Sequence, residues 1–100
     1  MIIYNVTVSV NFNRVEEWIE WMKDKHIPEM MQTELFVGYE FHKLLEQDET
    51  EGLTFVIQYQ LNNKEDYDLY IERHAPIMRD KTSKKFASDV IAFRTLMERL

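Results

Sequence analysis

One hundred residues with 45% hydrophobic side chains form one domain with material for a single core, and twelve Lys and Arg against eighteen Asp and Glu leave a formal charge of −6. That balance argues against a nucleic-acid partner, because binding phosphates requires cations that displace counterions. With no cysteine, disulfides, thiolate metal sites and Cys nucleophiles are excluded.

The opening "MIIYNVTVSV" has no basic segment, long apolar core or small-residue cleavage site, so no signal peptide is expected. No run reaches the roughly eighteen apolar residues of a membrane span, and a cytoplasmic location is the expectation. Residues 2–10 alternate, with Ile2, Tyr4, Val6, Val8 and Val10 against Ile3, Asn5, Thr7 and Ser9. That period predicts a strand with one dry and one wetter face. "NFNRVEEW" then offers Asn13 as an N-cap, with Glu16 completing a capping box. Val15, Trp18, Ile19 and Met22 continue as one helical stripe, which Pro28 is expected to end. A short turn over "EMMQTE" leads to a strand over 36–46, a hairpin turn at "DETEG" and an alternating strand over 53–61. These two strands are expected to pair antiparallel. "NKED" repeats the capping pattern with Asn63 and Asp66, and Tyr67, Tyr70, Ile71, His74 and Met78 form a second stripe interrupted by Pro76. In the tail "SDVIAFRTLMERL", Ser88 and Asp89 could cap a helix, but "VIAF" followed by "RT" favours a last strand.

The resulting order, β-α-β-β-α-β, is α+β and ferredoxin-like: a four-stranded antiparallel sheet with two helices on one face, in a single domain over 1–100. Val6, Val8 and Val10 with Phe55, Ile57 and Tyr59 should face the helices. Asn5, Thr7 and Ser9 with Thr54, Val56 and Gln58 should form the opposite face. The second strand adds either Gly38, Glu40 and His42 or Val37, Tyr39 and Phe41 to it, since a one-residue slip exchanges the sets. Arg94 is expected on this wetter face, near Glu40 or a ligand carboxylate, because a charge does not sit unpaired in a dry core. An uncovered sheet face with this many aromatics predicts pairing with a second copy around a polar cavity.

Two phrases echo each other, "DKHIPEM" at 24–30 and "ERHAPIM" at 72–78. His26 and His74 continue the two stripes into helix ends, where an imidazole either caps freed carbonyls or serves as acid, base or ligand contact. Three histidines without an i, i+4 pair give no metal site, the shared strand face of Glu40 and His42 being the one arrangement left. Arg79, Lys81, Lys84 and Lys85 around Asp80 form either a solvated face or an anion site. No G-x-S-x-G elbow occurs, and two glycines do not make a phosphate loop. Trp18, Tyr67 and Tyr70 belong to the core, with Trp21 partly exposed.

The β-α-β-β-α-β order, the His-x-Pro after the first helix and the polar second face resemble the dimeric α/β-barrel superfamily. "MIIYNVTV", "EEWIEWMKDKHIPEM", "RHAP" and "FRTL" are similar to a bacterial domain-of-unknown-function family of about this length. The resemblance implies a homodimer with no assigned chemistry, within a superfamily of cofactor-free monooxygenases, haem-degrading enzymes and isomerases. One reading is therefore a cofactor-free module that binds a small polar or anionic molecule, or serves in assembly. Asn5, Arg94, Glu40, His42, Gln58 and Arg79 would be its ligand contacts. The alternative is a cofactor-free oxygenase or isomerase, with His74 or His26 as base and Asn5 and Arg94 orienting an oxyanion or carboxylate. A haem-degrading barrel would use Asn5 and His74, but the tryptophan it needs near the second helix's start is replaced by Asp66 and Tyr67.

Overall fold

Alternating β-branched residues make β1 (Ile2–Asn11) an interior strand of a four-stranded sheet, seen in a computed structural model that describes all 100 residues. The others are β2 (Gly38–Lys43), β3 (Gly52–Leu61) and β4 (Val90–Glu98), in the order β2-β3-β1-β4. Every neighbouring pair is antiparallel, with Asn5 opposite both Gln58 and Thr95, and Glu40 opposite Gln58. Gly52 faces Asn11 at the end of the β1–β3 ladder. A Cβ there would lie 2.1 Å from the Val10 carbonyl oxygen, so only glycine lets the two strands close.

The first helical stretch differs from expectation at both ends. A tight turn at Phe12–Arg14 leads into α1 (Val15–Trp21), so Asn13 already lies inside helical backbone and makes no capping bond. The start of the helix is tied down instead from the turn just before β4. Asp89 accepts from Asn11 Nδ2 at 2.7 Å and from Arg14 Nη1 at 2.9 Å. Nor does Pro28 end the helix. The chain widens into a π-helical turn over Met22–His26, where the Ile27 amide reaches back five residues to the Met22 carbonyl, and continues as α2 (Ile27–Gln32). The proline falls in the first turn of α2, where its missing amide costs nothing.

Asn63 caps α3 (Lys64–Arg73) as expected, its side chain accepting from the Asp66 amide at 2.9 Å. Helix α3 stops at His74, whose backbone leaves helical geometry (φ −120°, ψ −37°), and α4 (Ala75–Phe86) restarts with Pro76 in its first turn. No helix is long and apolar enough to cross a membrane.

All seventeen buried residues are hydrophobic and form one cluster between the helices and a single face of the sheet. Trp18 is sealed against Phe55 and Phe41, with ring centroids 4.9 and 5.6 Å away. Tyr4 centres an aromatic group with Phe36, Tyr59, Tyr67 and Tyr70. The helices pack on β1 and β3, leaving the edge strand β4 largely exposed. This resolves the placement of Arg94 against expectation. It pairs with Val6, not with Asn5, and so points to the helical side with Val90 and Ala92. The helices do not roof β4, so a charge on that side keeps contact with water. Register also assigns β2: Gly38, Glu40 and His42 lie on the open face, and Tyr39 and Phe41 on the helical one.

Candidate functional site

Between the helices and the β4 side of the sheet lies a narrow cleft of about 50 Å³. Twelve of its sixteen lining residues are hydrophobic, which gives it an apolar body. The sheet contributes Tyr4, Val6, Ile57, Ala92 and Arg94; the helices contribute Met22, His26, Met30, Tyr70, Arg79 and Thr82. Not one lining residue is acidic.

The charge is concentrated in two guanidiniums. Arg79 donates from Nη2 to the Tyr4 hydroxyl at 3.2 Å, and neither Arg79 nor Arg94 has a carboxylate within ion-pair distance. The neighbouring cations behave differently. Lys81 pairs with Glu29 at 2.8 Å, Lys84 with Asp80 at 2.9 Å and Lys85 with Glu17 at 3.6 Å. The basic run from 79 to 85 is thus a paired surface, with Arg79 alone turned to the cleft. Burial raises the Tyr70 hydroxyl above its ordinary pKa and Tyr4 adds to this, while Arg79 and Arg94 both pull it back. The two cations therefore act on a common point.

His26 closes the π-helical turn and lines the same cleft. Its ring stacks on Trp21 (4.9 Å, 25°), and Trp21 meets Phe86 edge-on at 5.3 Å. Burial lowers its pKa to about 4; Glu29 opposes the shift, and Arg94 and Lys81 reinforce it. At neutral pH the ring is uncharged, and its buried Nδ1 has no hydrogen-bond partner. Of the roles expected for it, His26 makes no capping bond, and its ring packs on Trp21.

The residues singled out from sequence fall into three places. His26, Arg79 and Arg94 share the cleft. Asn5, Gln58, Glu40 and His42 lie on the open face, on the other side of the sheet. There Gln58 Nε2 donates to Asn5 Oδ1 at 3.2 Å, Asn5 Nδ2 reaches the Thr7 and Thr95 hydroxyls, and His42 stands 3.4 Å from Glu40. His74 sits at the α3–α4 break, stacked on Tyr70 at 6.3 Å, and does not line the cleft. Asn5 and Arg94 thus cannot grip one ligand within a chain, nor can Asn5 and His74. Tyr4, Tyr70 and Thr82 are cleft residues that sequence reasoning misses. For Tyr4 a signal exists, a hydroxyl on the dry side of an otherwise aliphatic alternation. No group of three His, Asp or Glu side chains converges to hold a metal ion.

Solved structures share this architecture at low identity. HapK from Hahella chejuensis matches with TM-score 0.72 and 11% identity over 100% of this chain and 93% of that one. An ethyl tert-butyl ether D (EthD) family protein from Bacillus halodurans matches with TM-score 0.69 and 12% identity over 100% of both chains. A dimeric ferredoxin-like protein from an uncultured marine organism gives 0.66 and 11%, over 98% of this chain and 97% of its own. These likenesses establish the ferredoxin-like fold. No curated protein matches significantly in sequence. The family model described as "Domain of unknown function (DUF4286)" matches residues 1–100, and the chain belongs to that family.

Proposed function

We propose that this domain binds a small organic anion with an apolar body in the helix–sheet cleft, and pairs with a second copy through the open face of its sheet. The observation that carries the first part is the cleft's composition: two unpaired guanidiniums, mostly apolar walls and no carboxylate, in a chain of net charge −6. Arginine forks match carboxylates bidentately, and apolar walls hold the remainder. Titration calorimetry with benzoate tests it: Arg79→Ala and Arg94→Ala should each weaken binding at least tenfold, and no heat from the wild type refutes it.

Pairing is supported by Ile91, Phe93 and Met97, which leave an apolar strip 65%, 64% and 40% exposed on the open face beside the Asn5–Gln58 ladder. A second copy offers the same strip and the same ladder, so both kinds of surface find their match. A monodisperse monomer in light scattering at micromolar concentration contradicts this.

One observation favours a second reading, a cofactor-free enzyme. Neutral His26 shares the cleft with both guanidiniums, so a proton leaving carbon next to a carbonyl could pass to the imidazole while Arg94 or Arg79 faces the enolate oxygen. Loss of deuterium from an α-deuterated oxo acid, abolished by His26→Phe, tests it.

A further inference from the structure

His26 Nδ1 is the buried side-chain polar atom for which the fold provides no partner. Its ring is held in a stack on Trp21, which in turn meets buried Phe86 edge-on. No hydroxyl, amide or carboxylate of the protein reaches Nδ1. Glu29, the acid nearest in effect, is engaged by Lys81 at 2.8 Å, and the other charges acting on the ring, Arg94 and Lys81, are both positive. A buried nitrogen left without a partner costs about 1–3 kcal/mol, which a ligand group would recover. The surrounding wall yields easily, since Met22, Met30 and Met78 all line the cleft and thioether side chains adapt their shape.

We propose that His26 Nδ1 recognises a neutral hydroxyl or carbonyl carried by the ligand beside its anionic group, so that the cleft selects hydroxy- or oxo-carboxylic acids with an apolar ring. This rests on the anion-binding reading of the cleft. The division of labour follows from charge. The guanidiniums take the carboxylate, and an uncharged imidazole among positive neighbours pairs with an uncharged group. The π-helical turn supplies the geometry, because the extra residue of the wide turn places His26 on the cleft side just before Pro28.

Benzoate, 2-hydroxybenzoate and 3-hydroxybenzoate are the probes, titrated into the full chain at pH 7 by calorimetry. At least one hydroxybenzoate should bind about tenfold tighter than benzoate. In His26→Phe, which keeps an aromatic ring beside Trp21, that advantage should vanish, the hydroxybenzoates binding no tighter than benzoate does to the same variant. His26→Asn, which keeps a polar atom near the Nδ1 position, should retain part of it. In the wild type, the 15N shift of His26 Nδ1 should move with the hydroxybenzoate and not with benzoate, a readout that needs no variant. Equal affinity for all three probes overturns the role of His26 and leaves the anion reading intact. The role of His26 is overturned equally if His26→Phe weakens benzoate as much as the hydroxybenzoates. If none of the three binds, both fall together.

Discussion

Acidification from pH 7 to pH 4 should destabilise this domain through His26, by an amount the structure allows one to work out. In the unfolded chain the imidazole titrates at its ordinary value of 6.5, whereas burial holds it to about 4 in the fold. Between those values the unfolded state binds a proton that the folded state refuses. The stability associated with neutral His26 is therefore complete above about pH 6.5 and is lost as the pH falls towards 4. At 1.36 kcal/mol per pKa unit the full interval corresponds to roughly 3 kcal/mol, a large part of the 5–15 kcal/mol typical of a domain. Urea unfolding followed by the fluorescence of Trp18 and Trp21, at pH 7, 6, 5 and 4, measures it in the wild type and in His26→Phe. Every other ionisable side chain is common to both proteins, so the difference isolates His26. The wild type should lose roughly 3 kcal/mol more than the variant over this range. Parallel curves would show that His26 is solvated or charged in the fold, and would remove the basis for treating it as an unpartnered neutral group.

Other expected outcomes probe the core, the sheet and its open face. Trp18→Ala should cost about 3–5 kcal/mol in denaturant unfolding, because its site between Phe41 and Phe55 leaves a cavity that cannot collapse. Gly52→Ala should lower stability by several kcal/mol, since the new methyl meets the Val10 backbone and forces the β1–β3 ladder apart; an unchanged melting temperature would contradict the register of that ladder. Phe93→Glu should convert a dimer to a monomer in light scattering without loss of folded signal, because the side chain stands exposed on the open face. Ligand binding in that variant should persist, the cleft being on the opposite side of the sheet.

Much of the architecture is legible in the sequence because it rests on short-range rules. The period-two alternation of residues 2–10 and 53–61 places β1 and β3 within a residue or two, and the Asn63–Asp66 cap places the start of α3. Where expectation fails, a long-range bond or an unusual backbone decides the matter. Asn13 loses its capping role because Asp89, far along the chain, already holds the start of the helix through Asn11 and Arg14. Pro28 does not end the helix because a π-helical turn removes the need for its amide, and no periodicity in sequence signals such a turn. The site is harder to read. The rule that charges avoid dry faces puts Arg94 on the open side, but that rule assumes the helices cover the whole sheet. They leave β4 open, so Arg94 takes the helical side and still reaches water. That one reversal divides the candidate residues into a polar ladder on one face and a basic, apolar cleft on the other.

The cleft itself is tested most directly by following backbone amide shifts during a benzoate titration. Saturable shifts are expected at His26, Met30, Met78, Thr82, Ala92 and Arg94, which line the cleft, with little change at Asn5, Thr7, Gln58 and Thr95. Shifts confined to Asn5, Gln58 and Thr95 would move the binding site to the open face, and a flat titration would leave the two guanidiniums without a ligand and contradict the proposal.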